Sequence, residues 1–250
     1  MASRWERIVA FGQTASRLDT LPLFCGYLVM ILLSGLWQRN TRPVNLRPIL
    51  VIYNFGCAAI SLYTLLGFGS CLASSESIYS KEGSRDLKNI FFWYWITKIV
   101  ELMDTVFMVL RHKRRQISVL HVYHHASMLL LSDLAYHHFP WTAIAVILAL
   151  NALVHVVLYL YYGLSALFPE NPPPWKRRVT EIQILQFFID LVFGIIGYLY
   201  HGFCIYGIIY GLLMVYLFMN FYYHAYLKRR PSGKKGVQNG AQVQNGKKEK

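Results

Sequence analysis

The chain has 250 residues, 55% of them hydrophobic, with a formal charge of +13 at neutral pH and a mean hydropathy of +0.35. That apolar content excludes an ordinary soluble domain of this size and implies a polytopic membrane protein. The positive charge does not call for a nucleic-acid partner, because no basic module with stacking aromatics is present and the cations segregate by connection.

Residues 1–20 are polar and mixed in charge, with no secretory signal set apart from the runs that follow. Seven apolar runs of spanning length come next: Leu21–Trp37, Ile49–Ala73, Ile90–Leu110, Ile117–Tyr136, Trp141–Tyr162, Thr180–Tyr200 and Phe203–Tyr226. Read as helices, they predict an all-α membrane domain over residues 21–226. Of the 25 Lys and Arg, eighteen lie after the first, third, fifth and seventh runs, six lie on the other side, and Lys98 lies inside the third run. The basic side is the cytosolic one, which places the C-terminus in the cytosol and the N-terminus on the far side. Residues 227–250 form a polar, basic tail expected to be disordered. Its Lys247 and Lys248, third and fourth from the end, look like a dilysine retrieval signal of the endoplasmic reticulum. The four cysteines, at 25, 57, 71 and 204, show no metal-type spacing. Cys71 and Cys204 fall at far-side ends of their helices, so they could pair in an oxidising lumen or stand as two separate buried thiols.

Polar groups inside the spans carry the chemistry. The third run holds Lys98, Glu101, Asp104 and Thr105 along one helical stripe. The fourth holds His121-Val122-Tyr123-His124-His125, with His121 and His125 one turn apart and His124 on the same side. The fifth holds Asn151, His155, Tyr159 and Tyr162, and the sixth holds Thr180, Gln183, Gln186 and Asp190. Each set has a bland reading: a structural ion pair, a satisfied core histidine, or interhelical glutamine contacts. Ionisable groups at membrane depth are costly, however, and mark functional sites. All four sets fall in the cytosolic half of the membrane, whereas the far halves are almost wholly apolar. The pattern predicts a polar chamber opening to the cytosol and continuing into a closed apolar tunnel. Such a shape suits an acidic head and a long hydrocarbon tail. Arg114, Arg115, Lys176 and Arg177 flank the mouth, where they would hold phosphates or simply set topology.

Two chemistries suit the histidines. One is metal binding, either a diiron oxygenase or desaturase site or a single zinc on His121, His125 and His155. A diiron site needs several clusters, and the chain has one; His137 lies roughly 18 Å along the helix from His125. The other is acyl transfer, with an imidazole attacking a thioester in a chamber that lacks cysteine and serving as acid or base. A seven-helix transporter or receptor is a third reading. If a tunnel is present, the closed end should set the accepted chain length. Its residues would be Leu130, Asp133, Leu134 and Tyr136 on the fourth helix and Gly194 and Gly197 on the sixth. Those glycines could instead serve helix packing.

Four motifs in order connect these segments. They are Lys98-x-x-Glu101-x-x-Asp104-Thr105, His121-x-x-His124-His125, Asn151-x-x-x-His155 with Tyr159 and Tyr161-Tyr162, and Thr180-x-x-Gln183-x-x-Gln186-Phe187. Together with Arg42-Pro43, Tyr53-Asn54 and the dilysine tail, they resemble the very-long-chain fatty acid elongase family, the membrane condensing enzymes of the endoplasmic reticulum. The run His121 to Met128 looks like the branch that elongates polyunsaturated chains, while Leu129–Ala135 departs from the Trp-containing run common in its animal members. The resemblance implies condensation of a fatty acyl-CoA with malonyl-CoA to a 3-ketoacyl-CoA, with loss of CO2 and CoA. It implies helices two to seven as two inverted three-helix units around the acyl tunnel, with helix one outside. It also implies a multi-pass protein of the endoplasmic reticulum membrane with a luminal N-terminus. No metal or redox cofactor is expected. The expected partners are the ketoacyl reductase, dehydratase and enoyl reductase of the same cycle, membrane lipid and, as an open case, a second copy. In the implied site His124 accepts the acyl group and His155 is its acid–base partner. His121 and His125 position it, and Lys98, Glu101 and Asp104 hold the histidine face. Asn151, Tyr159, Tyr162, Gln183 and Gln186 contact substrate.

Overall fold

The computed structural model describes residues 18–228, all of whose regular elements are helical. In chain order these are α1 Leu21–Asn40, α2 Arg47–Ala73, α3 Arg85–Glu101, α4 Met103–Leu110, α5 Val119–His138, α6 Thr142–Leu167, α7 Lys176–His201 and α8 Ile205–Tyr222. A 3-10 turn at Arg114–Gln116 precedes α5, and a π-turn at Tyr223–Leu227 prolongs α8. Most of the N-terminal segment and all but the first residues of the tail, with Lys247 and Lys248, lie outside the described residues.

Five helices are long and apolar enough to cross a membrane: α1, α2, α6, α7 and the continuous Ile205–Leu227. The third expected span falls short because it is divided into helices of 17 and 8 residues, and the fourth, 20 residues long, because it carries polar residues. The third contains Lys98 and Glu101, and α5 contains five histidines and Asp133. Several helices outrun their apolar stretch: α6 continues to Leu167 and α7 starts at Lys176. Polar ends of a helix keep their backbone bonds as they enter the head-group region, so hydropathy alone ends the element too early.

The third expected span is two helices, broken at Leu102 without proline or glycine. Tyr53 Oη donates to Val100 O at 3.2 Å, the carbonyl that an unbroken helix would offer to the Asp104 N–H. A side chain inserted into the backbone ladder is a recognised cause of such a break. The chain then tightens, with Thr105 N bonding Leu102 O at 3.2 Å. This turn sets Asp104 and Thr105 at a different angle from Lys98 and Glu101.

The helix pairings close a ring in the order α2, α3, α5, α8, α7, α6 and back to α2, while α1 touches only α4 and α5 among the larger contacts. The α2–α6 pairing is the most extensive. It is built on small residues, with Ala58 and Ala152 buried and the Phe55 ring only 3.2 Å from where a Gly163 Cβ would stand. Clamps tie the ends. Arg47 donates to Ala166 O and Leu167 O at 2.9 and 2.8 Å, satisfying carbonyls at the end of α6. At the opposite end Thr142 N and Oγ1 both donate to Glu82 O at 2.9 Å, at the start of α6.

The expected Cys71–Cys204 disulfide is not formed, and both are free thiols. Cys71 packs beside the core around Phe68 and Leu87, whereas Cys204 is the exposed residue before α8. Their helices are not major packing partners, since α2 packs on α6 and α3 and α8 packs on α7.

Candidate active site

Ser118 starts the histidine helix by accepting from His121 N at 3.2 Å, a cap that satisfies one of the first-turn amides. From that fixed start, His121, His124 and His125 turn toward α3, α4 and α6. The rings of His121 and His125 are 4.3 Å apart, those of His124 and His125 5.6 Å, and those of His124 and His155 6.2 Å. Four histidines from two helices thus form one cluster.

Lys98 and Glu101 are only 3% and 1% exposed, so neither charge would be stable alone. Lys98 Nζ donates to both Glu101 oxygens at 2.9 and 3.0 Å and lies 4.7 Å from the Tyr94 ring centroid. Glu101 Oε1 also lies 2.9 Å from His155 Nδ1. Lys98 Nζ also approaches Nδ1, at 3.4 Å, but the shorter contact is to a carboxylate that can only accept, which assigns the proton to Nδ1. His155 is thereby held in one orientation and one tautomer, with Nε2 left basic.

Of the three charged residues expected to hold the histidine face, Glu101 and Lys98 lie 2.9 and 3.4 Å from His155 Nδ1, whereas Asp104 turns to Tyr159. Past the Leu102 break, Asp104 Oδ2 accepts from Tyr159 Oη at 2.7 Å. The histidine contact falls instead to Thr105, whose Oγ1 lies 2.8 Å from His121 Nε2 and 2.9 Å from Tyr27 Oη. Tyr27 brings α1 into the network, a role that its place in an apolar run concealed. Tyr94 is the other residue that sequence reading passed over. Its hydroxyl donates to Asn151 Oδ1 at 2.6 Å. The oxygen is committed, which leaves the Asn151 amide N–H groups to point elsewhere. Tyr94 sits one turn before Lys98, and that spacing was the available signal.

His124 differs from its neighbours. Its Nδ1 is buried and has no hydrogen-bond partner, in a class of atoms that is almost always satisfied. The Phe187 ring of α7 lies 6.3 Å away. Among the described residues no three His, Cys, Asp or Glu side chains are placed to hold a metal ion.

The remaining expected residues divide. Tyr159 and Asn151 are buried beside the histidine cluster, and Tyr162 is partly exposed with its ring 6.2 Å from Tyr159. Gln186 is buried but donates to Asp190 Oδ2 at 3.0 Å, and Gln183 is half-buried on the same helix. Arg115 and Lys176 are exposed, and the Arg114 guanidinium lies against α1, 3.3 Å from where a Gly35 Cβ would stand. Arg177 is engaged with Glu181 Oε1 and Tyr222 Oη, both at 2.9 Å, so it ties α7 to α8 rather than standing open at a mouth.

Of the chain-length residues, Asp133 is fully buried and accepts from Thr20 N and Oγ1 at 2.8 and 2.6 Å. It anchors the start of α1 and does not line an apolar end. Tyr136 stacks on Trp95 at 5.4 Å between centroids. A Cβ on Gly197 would overlap the Phe203 ring, which identifies that glycine as a packing residue. Gly194 has only Ile208 Cγ1 nearby, at 3.9 Å, and Leu130 and Leu134 are half-buried.

The sequence matches the family model described as ELO: GNS1/SUR4 family over residues 15–234. It is similar to very long chain fatty acid elongase 5 of Homo sapiens, 34% identical over 222 residues, covering 84% of this chain and 74% of that protein. The protein of the same name from Bos taurus is 33% identical over 258 residues, covering 96% and 86%. That from Tachysurus fulvidraco is 31% identical over 260 residues, covering 98% and 88%.

Proposed function

Because the chain belongs to the ELO (GNS1/SUR4) family, we propose that it lengthens a long-chain, polyunsaturated fatty acyl-CoA by two carbons from malonyl-CoA. The product is a 3-ketoacyl-CoA, released with CoA and CO2. The observation that carries the reading is the unpartnered, buried imidazole nitrogen of His124 beside a histidine whose tautomer is fixed by Glu101.

The chemistry runs in two halves. In the first, the unprotonated nitrogen of His124 attacks the thioester carbonyl and the C–S bond breaks. His155 Nε2 takes the proton of the acylated imidazole and passes it to the departing thiolate. In the second, malonyl-CoA loses CO2 and its enolate carbon attacks the acyl carbon. The C–N bond to His124 then breaks, and the departing imidazolate takes up a proton from solvent, the one proton that the net condensation consumes, which restores the imidazole. Oxyanion charge develops in both halves. The Asn151 N–H groups, oriented because Tyr94 holds the amide oxygen, are suited to meet it. The Lys98–Glu101–His155 network positions His155, and Thr105 and Tyr27 position His121.

The ring of six helices would enclose the acyl tunnel, with seven spans in all, the N-terminus in the lumen and the C-terminus in the cytosol of the endoplasmic reticulum. Arg115 and Lys176 would meet the CoA phosphates. The 3-keto product would pass to a ketoacyl reductase, then a dehydratase and an enoyl reductase. The test is incubation of purified protein with malonyl-CoA and a panel of acyl-CoAs of graded length and unsaturation. Formation of 3-ketoacyl-CoA supports the reading, and its absence across the panel refutes it.

A further inference from the structure

The first turn of α3 lies at the opposite end of its helix from the histidine cluster, ~20 Å from Lys98 at the rise of a helix. Arg85, Lys88, Asn89 and Phe92 occur at intervals of three, one and three, so they share one helical face. Together with Tyr136 of α5 they line an open recess of about 370 Å³.

Three features of this recess are unexplained by the fold. Its cations lie on the side of the chain that carries few of them, so the charge rule that sets topology does not account for them. Of the nearby Lys81, Arg85 and Lys88, Lys81 alone makes a side-chain hydrogen bond among the described residues, donating to Gly202 O at 2.7 Å. Among the described residues the side chains of Arg85 and Lys88 make no ion pair, although Glu82 and Asp86 are close in sequence. Finally, cations in the first turn of a helix oppose its dipole, whereas an anion there is favoured. The floor is aromatic. Lys88 Nζ lies 5.7 Å from the Tyr136 ring centroid, and Trp95 packs on both Tyr136 and Phe92. Aromatic rings of this kind gather at the membrane–water interface.

We propose that this recess binds the phosphate head group of an anionic phospholipid in the leaflet opposite the catalytic chamber. Arg85 and Lys88 take the phosphate as charge donors, Asn89 donates to a head-group or glycerol oxygen, and the first acyl carbons lie over Phe92 and Tyr136. Basic pockets between spans, with a greasy floor, are suited to such head groups.

The experiment uses full-length protein in nanodiscs of phosphatidylcholine alone, of phosphatidylcholine with phosphatidylglycerol, and of phosphatidylcholine with inorganic phosphate in the buffer. Native mass spectrometry reads the lipid retained, and melting temperature reads stabilisation. Wild type should retain phosphatidylglycerol over phosphatidylcholine and melt higher in its presence. The R85Q/K88Q variant should lose that preference ~10-fold or more. The charge-preserving R85K/K88R variant and the distant control K113Q/K228Q should keep it. Undiminished retention by R85Q/K88Q overturns the proposal, as does equal retention of the two lipids by wild type. Stabilisation by inorganic phosphate alone, lost in R85Q/K88Q, would assign the site to a soluble anion and overturn the lipid.

Discussion

His155 Nδ1 and Glu101 Oε1 are 2.9 Å apart, 54 residues distant in sequence and both buried. This bond joins α6 to the end of α3 and links the histidine cluster to the buried Lys98. It makes Glu101 part of an ion pair and of a tautomer lock at once, so stability and turnover should be separable by mutation. Glu101→Gln should lower turnover ~10²-fold or more, since His155 loses its fixed orientation. It should also destabilise the protein by about 3 kcal/mol, because Lys98 is left buried and unpaired. The double variant Lys98→Met/Glu101→Leu should recover most of the stability and none of the activity. Melting temperature and malonyl-CoA-dependent turnover, measured together, check this; recovery of activity in the double variant would contradict it.

His124→Ala and His155→Ala should each abolish turnover while leaving the protein folded. They should differ in a single half-reaction. With acyl-CoA alone, wild type should release CoA and gain the mass of one acyl group on the peptide containing His124. His124→Ala should show neither. If wild type itself shows no adduct and no released CoA, the acyl-histidine step is wrong and direct condensation takes its place.

Tyr94→Phe should free the Asn151 amide to rotate. Asn151→Ala should cost ~10²–10³ in kcat if its N–H groups meet the oxyanion, with KM little changed. Tyr94→Phe should show a smaller loss of the same kind, a fall in kcat without a rise in KM. A rise in KM alone for either variant would place Asn151 in ground-state binding instead.

Local spacing made much of this site legible. The His121–His125 face, the Lys98–Glu101 pair and the Asn151–His155 turn follow from helical periodicity, and contacts between their side chains join them in one polar cluster. What was not legible depends on contacts between distant residues. Nothing near Leu102 announces a break, because Tyr53 of another helix makes it, and so Asp104 turns to Tyr159 rather than to a histidine. Tyr27 and Tyr94 read as apolar core residues until their hydroxyl partners are known. Asp133 suggested a tunnel lining by its depth, yet its partner Thr20 lies 113 residues away.

That anchor is testable. Asp133→Ala removes the acceptor of Thr20 N and Oγ1 and of His137. Hydrogen bonds to a charged group contribute about 1.5–3 kcal/mol each, so α1 should detach at its start. Proteolysis near residue 20 should accelerate, and Thr20→Val should reproduce part of the effect. An unchanged cleavage rate in Asp133→Ala would remove the anchoring role.

The two glycines of α7 should respond in opposite ways. At Gly197 any side chain meets the Phe203 ring, and overpacking of a tight contact costs about 1–3 kcal/mol. Gly197→Leu should therefore lower the melting temperature and reduce turnover equally for every acyl length. At Gly194 the one neighbouring atom is Ile208 Cγ1, at ordinary contact distance, so a larger side chain has room. If the acyl tail ends near this turn, together with Leu130 and Leu134 of α5, Gly194→Leu fills part of its space. Each methylene excluded forfeits ~0.8 kcal/mol of burial, enough to shift the preferred length by a few carbons. The longest accepted chain should shorten while turnover of shorter substrates and the melting temperature are retained. The same acyl-CoA panel decides both cases. A length profile that Gly194→Leu leaves unchanged would place the ruler elsewhere, and a length-dependent loss in Gly197→Leu would show that the Phe203 contact also closes the tunnel.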